Sequence, residues 1–600
     1  MSPPATLAKT WTDRLADRLG PLVRSRTTAL LVLSVVVGSM SGLLSVSFWH
    51  AIRWVDLMGS IAFYDWLRQA VDPAEHWLTP AMWAAVLPAM GALLMAGVTW
   101  RIFRERENPT VATVMLDART SPGQLPLRYV PAAFVGAALV IGSGGSAGRE
   151  APVVAMGGIL GGWVGRRLGL TQRRRQILIG CGTAAAIAAA FDAPLAGVFF
   201  ALELVLGDYT AATLSPVVLA SVAGTSVCRS LEGVGASHFA VPPYHIAGWW
   251  EIGLYAGLGL AAGLVAPLFV TTHAAIHGLF RRLDRVPGSL KPMVGGLAVG
   301  IVALALPQVM GNGYEHVQDA LTGRLAAGLM VALVFGKILA TSLTLGSGGW
   351  GGDFSPLLFI GAMLGGAYGV GLHWLLPAMG IAASSYAMVG MGALLTAAVR
   401  CPITAILLLF ELTGSYQVIL PMMTAVAVAI PVSRIFLKRG MYHERLEEMG
   451  GPASDLPETR LLETVTVASV MQPRAVTLSA AAPYREILKV IATSDQLVFP
   501  VLDAGGRLLG ALTFKTLRGH LDAAELADLV VAADVISEDI PVLTVRDSLE
   551  RAMQLFAEWD LEEIPVVTDL AERRFAGILT RRQAMAARAR VLAEWEMEDR

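Results

Sequence analysis

Residues 142–152 read GSGGSAGREAP, and residues 346–356 read GSGGWGGDFSP. Each stretch begins with Gly and ends with Pro, and the two are offset by 204 residues. A second pair, PLAGVFFALE at residues 194–203 and PITAILLLFE at residues 402–411, recurs in the same order at an offset of 208. Two motifs that repeat in one order and at nearly one spacing predict a duplicated domain with a site between its halves.

Apolar runs flank these motifs and indicate that the duplicated domain lies in a membrane. Hydrophobic residues form 54% of the chain and charged residues only 16%, against about 25% charged residues in soluble proteins. Several apolar runs are shorter than the ~20 helical residues that cross a hydrocarbon core. Short runs separated by Gly and Pro predict broken helices whose ends are buried in protein. We therefore predict an all-α, polytopic membrane domain; whether its halves are inverted stays open at this point.

The charged residues are concentrated after residue 450, where the sequence predicts a soluble, slightly acidic tail. The tail has its own repeat, in which Pro500 of VFPV and Pro565 of EIPV are equivalent. Each copy reads as a strand, a helix and two further strands, so we predict an α/β pair. The predicted boundaries are an N-terminal segment at 1–26, a membrane domain at 27–446, a linker at 447–460, soluble repeats at 461–522 and 523–590, and a C-terminal tail at 591–600.

Five basic residues precede the first long apolar run and predict a cytoplasmic N-terminus by the positive-inside rule. They are Lys9, Arg14, Arg18, Arg24 and Arg26. This pattern is not that of a cleavable signal peptide, although it is also compatible with an amphipathic helix on the membrane surface. We expect an integral, multi-pass protein of a bacterial-type inner membrane, with both termini in the cytoplasm.

The Gly-rich loops carry the chemistry that we expect of the duplicated domain. A loop of this kind before a helix exposes backbone N–H groups at the positive end of the helix dipole, and the two together attract anions. Glu150 lies inside the first helix start, and a carboxylate at membrane depth is functional by default. It would act as a tethered anion whose protonation or displacement frees the site. The alternative is a carboxylate that only stabilises its own helix.

These motifs resemble those of the CLC family of chloride channels and chloride/proton antiporters. GSGGSAGREAP is similar to the family's GREGP-type motif, and GGDFSP to its G-x-F-x-P motif. DAPLAGVFFALEL at residues 192–204 looks like the segment after the first motif, and GMYHERL at residues 440–446 like the last membrane helix. The tail repeats resemble paired CBS domains. Over residues 28–590, the resemblance implies a lipid-embedded homodimer with one anion pathway per subunit and an inverted repeat of broken helices.

The resemblance also implies roles for single residues. Glu150 takes the place of the gating glutamate. The implied anion-binding groups are the backbone amides of Arg149 and Ala151 at an outer site, those of Asp353 and Phe354 at a central site, and the Tyr442 hydroxyl, which would donate to the central anion.

Three positions depart from the family pattern near the implied sites. The loop ERENP at residues 105–109 places Arg106 where the family has Ser or His, either as a pore residue or as a solvated loop arginine. Asp353 stands where an apolar residue is usual, and we expect its carboxylate to cap the following helix. Ala151 replaces a glycine, which is a mild change.

A fourth departure concerns proton coupling. Coupled members of the family carry a second glutamate just after the position of Glu203, and this chain has Leu204 there. A leucine cannot relay a proton. Because Glu150 is intact, we still expect transport of chloride or a similar small anion, gated by Glu150, by an antiporter-like or loosely coupled chloride/proton exchanger. A passive voltage- or pH-gated chloride channel without proton coupling is the alternative.

Two other function classes have weaker support in the sequence. Residues 144–148 fit the G-x-S-x-G pattern of serine hydrolases, but an intramembrane protease needs a histidine base beside Ser146. The candidate bases are His50, His273, His277 and His373. A cation transporter needs several carboxylates at membrane depth, and the apolar runs offer few beyond Glu203 and Glu411. We therefore do not expect an enzyme.

The sequence gives little reason to expect a cofactor, a metal or nucleic acid. The net charge is −1, and Cys181, Cys228 and Cys401 lie in apolar segments without metal-ligand spacing. Adenine nucleotide binding by CBS pairs commonly uses an Asp three residues after a Ser or Thr that ends the last strand. Thr516 and Gln583 occupy these positions here, so we favour a stabilising, dimerising module over a nucleotide sensor.

Overall fold

A computed structural model of the chain describes residues 26–70, 79–103, 108–233, 248–450, 462–513, 530–537, 540–559 and 561–599. Arg106, the first 25 residues and most of the linker lie outside these described residues. The chain forms two compact units, Met1–Gly451 and Pro452–Arg600.

The described part of the first unit is helical. The helices of its first half are α1 (Arg26–Ala70), α2 (Thr79–Val98), α3 (Val111–Thr120), α4 (Tyr129–Gly142), α5 (Glu150–Arg167), α6 (Gln172–Phe191), α7 (Pro194–Phe200) and α8 (Ala211–Glu232). A π-helical turn, Ala201–Leu206, continues α7.

The second half repeats this pattern of long and short helices. Its helices are α9 (Glu251–Arg282), α10 (Lys291–Ala305), α11 (Tyr314–Leu321), α12 (Ala327–Gly346), α13 (Phe354–Leu375), α14 (Ala383–Val399), α15 (Pro402–Thr413), α16 (Ile419–Phe436) and α17 (Met441–Glu448).

Long and short apolar helices alternate, as the interrupted apolar runs predict. Six helical spans among the described residues are long and apolar enough to cross a membrane. Other apolar helices are shorter, including α4 with 14 residues and α14 with 17. Nearly every residue of α14 is buried, so its ends are surrounded by protein rather than lipid. The predicted broken helices are therefore confirmed.

The repeat extends to the backbone conformation between the helices. Asp192 ends α6 with φ 55°, and Arg400 ends α14 with φ 70°. Left-handed residues other than Gly are uncommon, and these two lie at the repeat offset of 208. In each half a proline two positions later begins the next short helix.

The short helices α7 and α15 hold each other through two matched carboxylates. Glu203 accepts hydrogen bonds from the backbone N–H groups of Ile403 and Thr404, at 3.1 and 2.9 Å. Glu411 accepts from two N–H groups in the first turn of α7, both at 2.8 Å. Reciprocal contacts of this kind relate the halves by an approximate two-fold axis, and they satisfy N–H groups that a helix start leaves unpaired. Both carboxylates thus accept hydrogen bonds from backbone N–H groups at helix starts. This use of their oxygens argues against a cation site at Glu203 and Glu411.

The described part of the second unit contains two equivalent three-stranded sheets. In the first, β1 (Leu478–Ser479) is parallel to β2 (Val498–Leu502), which is antiparallel to β3 (Leu508–Thr513). In the second, β4 (Leu543–Thr544), β5 (Glu563–Val567) and β6 (Phe575–Thr580) have the same order and directions. The described helices of this unit include α18 (Val467–Val470), α19 (Tyr484–Thr493), α20 (Leu549–Trp559) and α21 (Arg581–Asp599). The predicted α/β pair is confirmed.

Candidate functional site

The two Gly-rich loops meet directly. The N–H of Gly148 donates to the carbonyl of Gly352 at 2.6 Å, and the N–H of Gly352 donates back at 2.8 Å. The loops therefore run antiparallel and bring the starts of α5 and α13 side by side. A Cβ on Gly148 would lie 2.7 Å from Glu150 Oε2, and a Cβ on Gly352 would lie 2.5 Å from that of Ala151. Both glycines are needed for this close approach.

Glu150 crosses from the first helix start to the second half of the domain. Its side chain is 1% exposed, and its carboxylate accepts hydrogen bonds from the hydroxyls of Tyr314 and Ser355. The two hydroxyl oxygens lie 3.0 Å apart. Because an ionised carboxylate is costly to bury unless it is hydrogen-bonded, these hydroxyls hold Glu150 in its buried position.

The neighbouring arginine supplies a positive charge at the same place. Arg149 is buried, with Nε 3.7 Å from Glu150 Oε1 and Nη2 donating to the carbonyl of Ala190 at 2.7 Å. Its guanidinium lies 4.5 Å from the ring centroid of Trp49 and 5.6 Å from that of Tyr314. Cation–π contacts of this kind stabilise a desolvated guanidinium. The charge of Glu150 is thus partly balanced without direct solvation.

Tyr314 is a site residue that the sequence reasoning missed. It begins α11 directly after Gly313, whose φ of 80° turns the chain into the helix. The preceding segment is fixed by Lys337, which is fully buried and donates through Nζ to the carbonyls of Val309, at 2.9 Å, and Gly311, at 2.8 Å. A Gly-Asn-Gly turn followed by Tyr, between two apolar runs, is the signal in the sequence.

The second helix start carries the Asp353–Tyr442 pair. The Tyr442 hydroxyl donates to Asp353 Oδ1, whereas the resemblance implies donation to an anion. The expectation that Asp353 caps its helix is wrong: the residue occupies the N-cap position of α13, but its side chain makes no capping hydrogen bond. The reason is that its carboxylate turns towards Tyr442. Phe354 is buried against Phe191 and Phe200.

The site residues implied by the resemblance are thus brought together, apart from Arg106, which lies outside the described residues. Arg149, Glu150 and the buried Ala151 belong to the first helix start. Asp353 and Phe354 belong to the second, and Tyr442 reaches it from α17.

Leu204 lies in a buried position. Nη2 of Arg119 donates to its carbonyl at 2.9 Å and lies 3.5 Å from Nε2 of His443. The side chain packs in the apolar core, so this position contributes packing and no proton-exchanging group.

The surroundings of Ser146 do not favour a nucleophile. Its hydroxyl lies 3.0 Å from Thr341 Oγ1, and its N–H donates to Thr344 Oγ1 at 3.0 Å. Two of the candidate bases make contacts elsewhere: His50 Nε2 lies 2.8 Å from Glu232, and His277 Nδ1 lies 3.3 Å from the Gly346 carbonyl. Ser146 is therefore paired with a threonine, which cannot act as its general base.

Comparison with sequence families matches both units of the chain. The profile described as voltage gated chloride channel matches residues 91–434. The CBS domain profile matches twice, at residues 467–523 and 531–590.

Individual relatives agree with these profiles. The chain is 35% identical over 406 residues to a ClcB-like protein of Ralstonia nicotianae, covering 66% of this chain and 91% of the relative. It is 30% identical over 453 residues to the H(+)/Cl(-) exchange transporter ClcA of Vibrio parahaemolyticus, covering 72% and 93%. The crystal structure of a slow cyanobacterial Cl-/H+ antiporter is similar with a TM-score of 0.62 and 28% identity, covering 70% of this chain and 97% of the other.

Proposed function

The chain belongs to the voltage-gated chloride channel family, the CLC proteins, and we propose that it moves chloride across the membrane past Glu150, which acts as a protonatable gate. It is a multi-pass integral membrane protein with a CBS pair at the C-terminal side. Relatives named H(+)/Cl(-) exchange transporters make chloride the expected cargo and the proton its counterpart.

The observation that carries the gate proposal is the position of the Glu150 carboxylate. It lies at the start of α5, and donors from the other half of the domain hold it there. A helix start with exposed N–H groups attracts an anion, and a carboxylate that occupies this place competes with chloride for it. Protonation removes the charge and weakens the hydrogen bonds to Tyr314 and Ser355, because bonds to ionised acceptors are the stronger ones.

Chloride efflux from proteoliposomes containing the purified full-length protein tests this function. We expect efflux that rises as the pH falls, since Glu150 is then protonated more often. Liposomes with the protein that release chloride no faster than liposomes without it would contradict the proposal.

The degree of proton coupling is measured in the same proteoliposomes. Glu150 is present as a protonatable gate, whereas Leu204 offers no proton-exchanging group. We therefore propose loose coupling, in which a chloride gradient drives slow proton movement. A passive channel is the second candidate, and it is favoured by that same leucine. A pH-sensitive dye inside chloride-loaded liposomes separates the two, since a passive channel moves no protons against their gradient.

We predict that Tyr314→Phe raises chloride flux at neutral pH. The variant removes one hydrogen bond to the Glu150 carboxylate, and a bond to a charged acceptor contributes about 1.5–3 kcal/mol, or roughly tenfold or more in the balance between closed and open gate. The pH dependence itself should remain, because Glu150 is intact. Flux is measured in proteoliposomes at neutral and acid pH.

The matched control for that variant is Tyr368→Phe. Tyr368 also lies in the membrane unit, and its hydroxyl donates to the carbonyl of Leu254 at 3.0 Å. It is expected to leave flux unchanged. Equal flux of Tyr314→Phe and the unmodified protein at neutral pH would argue against a holding role for Tyr314.

We further propose that both termini lie in the cytoplasm, because basic residues precede the first long apolar run. We also propose a homodimer. The support is a set of exposed apolar side chains on α8 and α16, including Val222 and Leu420, which are 50% and 54% exposed. Exposed apolar surface of this extent needs lipid or a second copy to cover it. Mass photometry in detergent would show twice the mass of one chain if the proposal holds.

For the CBS pair, we predict that the unmodified protein does not bind ATP or AMP more tightly than about 1 mM. Gln583 stands where a ribose-binding Asp is expected, and its Oε1 accepts from the N–H and the hydroxyl of Thr580, both at 3.1 Å. Isothermal titration of the full-length protein with each nucleotide is the measurement. Heat at micromolar nucleotide would refute the prediction, and Gln583→Asp shows whether the acid alone restores binding.

A further inference from the structure

A second carboxylate lies in the same site, at the start of α13. Asp353 accepts a hydrogen bond from the Tyr442 hydroxyl. The family resemblance assigns this donor to the central anion. We propose that Asp353 is a second tethered carboxylate of the anion pathway, which competes with chloride for the Tyr442 hydroxyl and takes up a proton when chloride binds. This inference rests on the proposed function.

The hydrogen bond from Tyr442 makes the competition direct. A tyrosine hydroxyl has a single hydrogen, so it cannot donate to Asp353 and to an anion at the same time. An ionised carboxylate also repels chloride in this part-buried site, where the effective dielectric constant is lower than that of water. Chloride therefore binds at the start of α13 after Asp353 has been protonated or has turned away.

The proton balance of this step is simple. One H⁺ from the aqueous solution adds to one carboxylate oxygen of Asp353, which is part-buried, and the Tyr442 hydroxyl is released to the anion. When chloride leaves, the proton returns to water and the Tyr442 hydroxyl donates to the carboxylate again. No other bond forms or breaks.

Charged and titratable groups from several elements act on Asp353. Arg445, on the same helix as Tyr442, attracts the carboxylate, and Glu150 at the start of α5 repels it. The thiol of Cys401, directly before α15, interacts electrostatically with Tyr442. Proton uptake at Asp353 therefore relieves repulsion from both Glu150 and an incoming anion.

The internal repeat places the Asp353 carboxylate at the second helix start, apart from Glu150 at the first. Asp353 lies at the position equivalent to Arg149, at the offset of 204 residues. Each helix start thus carries one carboxylate, Glu150 at the first and Asp353 at the second. Because Leu204 cannot exchange a proton, Asp353 supplies a protonatable group on the Tyr442 side of the site.

Chloride binding by the full-length protein in detergent, measured by isothermal titration, tests the proposal. The Glu150→Gln background is used, so that Asp353 remains as the carboxylate at the paired helix starts. This protein is expected to bind chloride about tenfold more tightly at pH 5 than at pH 7.5. Adding Asp353→Asn, which keeps an acceptor for Tyr442 but removes the charge, should give tight binding at both pH values.

A second variant separates the carboxylate from general damage to the site. Tyr442→Phe in the same background removes a donor to the anion but leaves Asp353, so chloride binding should weaken while its pH dependence stays. An unchanged tenfold pH dependence after Asp353→Asn would overturn the inference alone. Absence of chloride flux in the unmodified protein would instead overturn the proposed function.

Discussion

Replacing Glu150 with Gln is expected to remove most of the pH dependence of chloride flux and to raise flux at neutral pH. Glutamine has nearly the shape of glutamate but carries no charge at any pH. Its amide oxygen accepts a hydrogen bond from one of the two hydroxyls, Tyr314 or Ser355, and its amide N–H donates to the other. The gate is then held in the state that acid produces in the unmodified protein. Flux of the variant at neutral pH should therefore exceed that of the unmodified protein, and the pH dependence that remains should be the part due to Asp353.

The hydrogen bonds at Glu150 set the size of this effect. A bond to an ionised acceptor contributes about 1.5–3 kcal/mol and a bond between neutral groups about 1 kcal/mol. Exchanging two bonds of the first kind for two of the second lowers the stability of the closed position by about 2 kcal/mol, or roughly thirtyfold in its population. Chloride efflux from proteoliposomes over a series of pH values measures it.

The chain offers a matched control in Glu251→Gln. Glu251 is also the first residue of a helix, is 1% exposed, and accepts a hydrogen bond from the hydroxyl of Tyr386 at 3.2 Å. It has these properties in common with Glu150 but lies outside the paired helix starts. Its substitution should leave the pH dependence in place. If Glu150→Gln kept the full pH dependence of the unmodified protein, Glu150 would not be the gate.

The helix starts at Glu150 and Phe354 follow from local sequence alone. Gly-rich loops before apolar runs predict helix starts, and the repeat offset predicts that two of them are equivalent. Short stretches of sequence are enough to predict both the helix starts and their equivalence. That the loops pair through Gly148 and Gly352 follows from the fold, because residues 204 positions apart meet only after many helices have packed.

The partners of the two carboxylates show what local sequence leaves out. Tyr314 is 164 residues from Glu150, and the chain has 11 tyrosines among which periodicity cannot choose. Local side-chain bonds are the rule at helix starts, so the sequence predicts that Asp353 caps its helix. A tyrosine from α17, 89 residues away, competes successfully for that carboxylate. Long-range hydrogen bonds thus determine both the partner of Glu150 and the orientation of the Asp353 side chain.

Replacing Lys337 with Met is expected to lower thermal stability and also to raise chloride flux at neutral pH. Nζ of Lys337 donates to the carbonyls of Val309 and Gly311, and Met has a similar length but no donor. Leaving a buried acceptor without its donor costs about 1–3 kcal/mol, so losing both bonds costs about 2–6 kcal/mol. The free energy of unfolding should fall by that amount, which a thermal melt in detergent reports as a lower transition temperature.

The effect on flux follows from the chain path between Lys337 and the gate. Gly311 lies three residues before Tyr314, whose hydroxyl holds the Glu150 carboxylate. When the turn loses Lys337, Tyr314 is no longer fixed, and the closed position of Glu150 weakens as it does in Tyr314→Phe. Lys337→Arg keeps N–H donors at this position. This control should retain the thermal stability of the unmodified protein and its flux at neutral pH. If Lys337→Met melted at the same temperature as the unmodified protein, Lys337 would not hold this turn, and the order of Tyr314 would have to come from α11 and Ser355 alone.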